Sequence, residues 1–98
     1  MDFTFSGEIW IFQGEGSWYF VTLPHELADE IQARCEGKTR GFGSIRIQAQ
    51  IGSSIWATSL FRDKKSASYI LPLKKEIRLS QKLAAGQTVD VSFSLTDV

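Results

Sequence analysis

The run Tyr19-Phe20-Val21-Thr22-Leu23 returns 50 positions later as Tyr69-Ile70-Leu71-Pro72-Leu73, with the same order of aromatic and aliphatic positions. Leu27 stands 50 before Ile77, and Ile45, Ile47, Ala49 and Ile51 stand 44 before Val89, Val91, Phe93 and Leu95. Ile9-Trp10 stands 46 before Ile55-Trp56, which makes the two tryptophans equivalent. A repeat constrains architecture more than any single motif does. A duplication accounts for it, with chance similarity between two β-rich halves as the alternative. A unit of this size cannot bury both faces of three strands alone, whereas two units can close around one core and remove their free edges. The expectation is a mainly β single domain over residues 1–98. It would be a six-stranded closed or split β-barrel of two strand-strand-helix-strand halves, 3–51 and 54–98, with two short capping helices.

Local patterns fill in this scheme. Val89, Val91, Phe93 and Leu95 alternate with Asp90, Ser92 and Ser94, the period of a half-buried strand. Phe3, Phe5, Ile9 and Ile11 share one face of a long first strand, with Trp10 and Phe12 on the other, and Gly7 predicts a bulge or bend. Pro24 opens a helix, where its missing N–H costs nothing. Leu27, Ile31 and Cys35 form its buried stripe, and Glu30 and Arg34 an i,i+4 pair. In the second helix Leu73, Ile77, Ser80 and Ala84 share one face, while Lys74, Arg78 and Lys82 form a solvated stripe. Gly86 is placed to end that helix, and Pro72 suits the end of an edge strand.

A chain of 98 residues has room for one core. It has no apolar run long enough for a membrane-spanning helix, and Met1-Asp2-Phe3-Thr4-Phe5 lacks the basic start and apolar core of a signal peptide, so the cytoplasm is the expected compartment. A single cysteine allows no internal disulfide. The formal net charge is zero, but residues 1–49 hold seven acidic and four basic side chains and residues 50–98 the reverse. Such asymmetry marks either an anion-facing half or two separately solvated halves.

Chemistry-bearing residues are sparse. Cys35 needs an activating base to act as a nucleophile, and the one histidine, His25, is ten residues away on the same helix, roughly 15 Å along its axis. Cys35 therefore reads as a core residue and His25 as a surface residue at the helix start. One His and one Cys are too few for a metal centre. Gly14 and Gly16 follow a strand, but another strand comes next, so the dinucleotide motif is not met. No catalytic residue, metal ligand or cofactor is assigned.

The binding candidates fall into two groups. The glycine-rich loop 36–43 carries Lys38, Arg40 and Phe42 and, with Arg46, offers a surface for a protein or small ligand, since loops often carry function. Trp10 and Trp56 join it as a ligand-stacking pair at a barrel mouth or groove, with core or barrel-wall packing as the plainer account. Arg62, Lys64, Lys65 and Arg78 form the second group, a phosphate-binding surface if they converge, and otherwise charges that keep the chain soluble.

Ile55-Trp56-x-x-Ser59-Leu60, Tyr69-x-Leu71-Pro72-Leu73, Ile77-Arg78 and Gly86-Gln87-Thr88-Val89-Asp90-Val91, with Leu95-Thr96-Asp97 at the end, resemble the bacterial domain of unknown function number nineteen-oh-five. Phe5-x-Gly7 and Val21-x-Leu23-Pro24 extend the likeness over nearly the whole chain. Gln87 departs from it, because that place is usually acidic in the family. The resemblance implies a closed or split barrel capped by helices, sometimes fused to segments named for bacteriocin protection, and it brings no assigned activity or site. Each half is also similar to the half-barrels of antitoxin and transition-state-regulator proteins, which pair two chains and bind DNA. That likeness concerns fold, which does not carry function. The expected function is a non-enzymatic binding or interaction module. Nucleic-acid binding through the basic second half is the alternative and a small-molecule enzyme the second alternative; no membrane partner is expected.

Overall fold

Six apolar runs, joined by turns and two short helices, close into one antiparallel ring. The structure, a computed structural model, describes residues 2–14, 16–35 and 44–96. Its elements are β1 (Phe3–Gly14), β2 (Gly16–Thr22), α1 (His25–Cys35), β3 (Ser44–Ile51), β4 (Ser54–Asp63), β5 (Ser68–Pro72), α2 (Lys75–Gln81) and β6 (Thr88–Leu95). The strands form a closed barrel in the order β1-β2-β5-β4-β3-β6, with every neighbouring pair antiparallel.

This ring maps onto itself when the two halves are exchanged. The β2–β5 ladder is centred on Val21 opposite Leu71 and flanked by Phe20 opposite Pro72 and Thr22 opposite Ile70. Its outer backbone bonds are reciprocal: Leu23 N–H donates to the Tyr69 carbonyl and Leu73 N–H to the Tyr19 carbonyl, each at 2.9 Å. Across the barrel the β3–β6 ladder is centred on Ala49 opposite Phe93. The barrel therefore has two poles, β2/β5 and β3/β6.

The ladders correct the expected match of β1 to β4. Phe3 pairs with Phe93, and Ala49, the counterpart of Phe93, pairs with Trp56. Ile9 pairs with Val21, and one step beyond the Phe61–Ile70 pair lies Leu60, opposite Leu71. Trp56 thus corresponds to Phe3, and Ile9-Trp10 to Leu60-Phe61. An even shift of 46 residues cannot be right, because Ile9 is buried while Ile55 is 52% exposed, and strand faces alternate with period two.

Inward side chains of all six strands make the core. Phe93 stacks on Phe3 at 5.0 Å between centroids and meets Phe5 edge-on at 6.2 Å. Gly7 makes no bulge: the β1–β6 register runs unbroken from Phe3 to Glu8. Its role is steric, since a Cβ there would stand 2.5 Å from Val21 Cγ1. Pro72 is not on an edge strand either. The β4 ladder has already ended at Ile70, so Pro72 has no hydrogen bond to lose on that side.

The helices are held differently. In α1, Ala28, Ile31 and Cys35 are buried and Leu27 is packed against them; Glu30 pairs with Arg34 at 3.2 Å. His25 Nε2 lies 2.6 Å from the Ser66 carbonyl, joining the helix start to the β4–β5 turn. In α2 only Ile77 is buried, and Ser80 is exposed rather than part of a buried stripe. The helix ends at Lys82, which takes the left-handed conformation at φ 54°, and not at Gly86, which occupies the following turn at φ 88°. Gln81 Nε2 anchors it to β4 through Ser54 Oγ at 2.9 Å. Among the described residues no helix is long and apolar enough to cross a membrane.

Candidate functional site

Strand alternation that sends Ile9, Val21, Leu60 and Leu71 inward sends their neighbours outward, and at the β2/β5 pole those neighbours are apolar. On the β1–β2 hairpin Trp10 pairs with Phe20 and Phe12 with Trp18. The Trp10 and Phe20 rings lie 5.1 Å apart at 35°, and Trp10 Nε1–H donates to Thr22 Oγ1 at 2.8 Å. The wall continues through Pro72 and Ile70 on β5 to Phe61 on β4. It ends at β3, where Arg46 Nη1 donates to Ser59 Oγ at 3.1 Å. Phe12, Trp18 and Phe61 are 52%, 56% and 45% exposed.

Three adjoining depressions mark this wall. One of about 420 Å³ is lined by Trp10, Phe12, Trp18, Phe20 and Ile70, with Asp63 and Lys65 at its end. A second of about 490 Å³ shares Trp18, Phe20 and Ile70 and runs to Phe61, Pro72, Ser59 and Arg46. A third, of about 110 Å³, leads from Trp18 past Ala57 and Thr58 to Trp56 and Lys74. Trp18 lines all three. The charged groups around them are Arg46, Lys65 and Lys74 against one carboxylate, Asp63. That carboxylate caps the β4–β5 turn, accepting from Ser66 N–H at 3.2 Å and Ser66 Oγ at 2.8 Å.

The residues singled out from sequence scatter. Trp10 is half-buried on the outer wall, whereas Trp56 is 6% exposed in the core, so they form no stacking pair; they face opposite sides of the barrel wall because of the register described above. Arg46 joins the aromatic wall, and Lys38, Arg40 and Phe42 lie outside the described residues.

The proposed phosphate group divides as well. Lys64 and Lys65 are exposed in the turn after β4. Arg62 lies over the Tyr69 ring at 5.4 Å and Arg78 over the Tyr19 ring at 3.9 Å. Arg78 Nε also donates to the Leu73 carbonyl at 3.3 Å, so it packs rather than belonging to a solvated stripe with Lys74 and Lys82. Burial raises the Tyr69 phenol above its ordinary pKa, outweighing the opposite pull of Arg62, and Cys35 adds to the rise.

Cys35 is buried. Among the described residues no three His, Cys, Asp or Glu side chains gather to hold a metal ion. The arrangement offers flat apolar contact bordered by cations, which suits binding by stacking and burial.

The site was missed in sequence at Phe12, Trp18, Phe20, Phe61 and Ile70. Its signal is that β1, β2 and β4 carry large apolar side chains at consecutive positions, as in Ile9-Trp10-Ile11-Phe12 and Leu60-Phe61. A strand with one face in water would alternate with polar residues.

These features define a small closed antiparallel barrel with one aromatic outer wall. The chain matches the family described as Domain of unknown function (DUF1905) over residues 5–93, and it belongs to that family. No curated protein matches it.

Proposed function

We propose that this domain is a non-enzymatic binding module of the bacterial cytoplasm that works through the aromatic wall at the β2/β5 pole. The observation that carries this reading is the joint exposure of Phe12, Trp18 and Phe61 on one face, next to two depressions that share Trp18 and Phe20. Isolated exposed apolar residues need no explanation, but a contiguous patch rimmed by charge marks an interaction surface. Barrel closure does not require these rings, because the core is already filled from the inward positions.

The test is a titration of the isotopically labelled chain with short oligonucleotides, peptides and oligosaccharides, followed by amide chemical shifts. Shifts clustered on β2, β5 and the adjoining parts of β1 and β4 support the reading. Shifts confined to β3 and β6, or none with any probe, remove it.

A further inference from the structure

We infer that the ligand of the aromatic wall is single-stranded nucleic acid, with bases stacked on Trp18, Phe12 and Phe61 and phosphates met by Arg46, Lys65 and Lys74. This rests on the binding role proposed above and gives it a ligand class.

Three observations converge on it. The large exposed apolar side chains of the wall are aromatic; the large exposed aliphatic ones, Ile55 and Leu79, lie outside its three depressions. Planar rings on an open surface present π-faces, and every base has a π-face to match.

The second observation is charge. The whole chain has a formal net charge of zero, yet the three depressions are bordered by three cations and one carboxylate. Asp63 is engaged by Ser66, while Lys65 and Lys74 make no ion pair among the described residues. An anionic ligand with apolar planar groups complements that pattern. A second copy of the chain does not, since it would bring one cationic rim against another.

The third observation is spacing. Phe61 lies two strands across from Trp18 and four residues along, because Phe61 is level with Ile70 and Thr22. Strand spacing and rise make that roughly 15 Å. Lys74 borders the Trp18 end, while Arg46 borders the Phe61 end and Lys65 follows Asp63 in the turn beyond it. A strand of on the order of four nucleotides, at the low end of the range for a small barrel, would cross the rings and meet cations at both ends. Duplex DNA keeps its bases stacked inside and would use the cations alone.

The experiment uses the full chain with a fluorescein-labelled oligothymidine of about twelve nucleotides and a duplex of equal length, read by anisotropy from about 20 to about 200 mM salt. The expected result is saturable single-strand binding, roughly tenfold or more tighter than duplex. Its log–log salt slope should be about −2, for three phosphate contacts at about 0.7 each. Trp18→Ala and Phe61→Ala should each weaken binding roughly tenfold with the slope unchanged, and Lys65→Ala should make the slope shallower by about 0.7. Far-ultraviolet circular dichroism confirms that each variant is folded.

No oligothymidine binding at low salt overturns the inference, as does equal affinity for duplex or indifference to both ring substitutions. If peptides or oligosaccharides still shift the same amides, the wall binds another class and only this inference fails. Concentration-dependent dimerisation lost in Trp18→Ala would make the occupant a second copy, which also overturns it. If no probe reaches the wall, the binding role falls with it.

Discussion

The two poles of the barrel share one construction and differ in what they show to solvent. At β3/β6 the outward residues beside the central Ala49–Phe93 pair are Gln48, Gln50, Ser92 and Ser94. The neighbouring half of β1 adds Thr4, Ser6 and Glu8, with Thr4 and Ser6 hydrogen-bonded to Ser92 and Asp90. At β2/β5 the corresponding residues around Val21–Leu71 are Phe20, Thr22, Ile70 and Pro72, with Trp10 and Phe61 on either side. Both poles have the same antiparallel ladders and fully buried inward residues. The polar pole shows that the fold closes without outward aromatics. Those at the other pole therefore answer to something other than closure.

The comparison is sharpened most strongly from inside. Phe93→Ala at the polar pole and Leu71→Ala at the aromatic pole should destabilise the barrel by about 3–5 and about 2–5 kcal/mol, read as urea midpoints with the slope held constant. Both side chains are fully buried, and each loss combines transfer and cavity terms. If Leu71→Ala cost under about 1 kcal/mol, the aromatic pole would not share the core that the polar pole uses, and the two would not be alternative coverings of one barrel.

How much of this was legible in the sequence follows the same division. The polar pole reads directly, because Val89 to Leu95 and Ile45 to Ile51 alternate with polar residues and period two then fixes both faces. Six strands, two helices and the equivalence of β2 with β5 follow from similarly clean runs, while their pairing with each other is shown by the ladder alone. The aromatic pole does not read this way. In Ile9-Trp10-Ile11-Phe12 both faces are apolar, so hydrophobicity alone cannot say which is inside, and the Ile-Trp dipeptide recurring in β4 drew the match to the wrong register. Only the ladders place Trp10 opposite Phe20 and make Phe61 its counterpart. The packing of Arg78 on the Tyr19 ring is equally hidden, since that contact joins a helix and a strand distant in sequence, whereas Arg62 meets Tyr69 as its cross-strand partner in the β4–β5 hairpin. Closure rather than an open split also depends on the β1–β6 and β3–β6 ladders, which no local pattern encodes.

A smaller effect separates two counterparts within the aromatic pole. Ser68 occupies in β5 the place that Trp18 occupies in β2, but it is fully buried and donates to the Leu23 carbonyl at 2.8 Å. Ser68→Ala should cost about 1–3 kcal/mol, because it leaves that carbonyl without its buried donor. Denaturation in urea checks it, and a neutral result would mean that the carbonyl finds another partner.

Trp10 stands between the structural and the exposed parts of the wall. Trp10→Phe keeps a ring against Phe20 but loses the Nε1–H donation to Thr22 Oγ1. A loss of about 0.5–1.5 kcal/mol is expected for one such bond. Thr22→Val introduced on top of Trp10→Phe should then add little, because the two changes remove the same interaction. Additive losses in that double-mutant cycle would place the Trp10 contribution in packing instead.

The smallest expected effect tests the comparison most directly. Phe12, Trp18 and Phe61, changed one at a time to threonine, should each move stability by no more than about 0.5 kcal/mol. Threonine keeps strand propensity, and all three rings are about half exposed. The polar pole already carries Thr4 and Thr88 on its outer surface without loss of pairing. A cost above about 2 kcal/mol at any of the three would exceed what partial burial of a ring supplies and would make that ring part of the fold. Near-neutral stability combined with loss of binding would separate the two poles by role: one completes the barrel, and the other uses it as a rigid support for exposed rings.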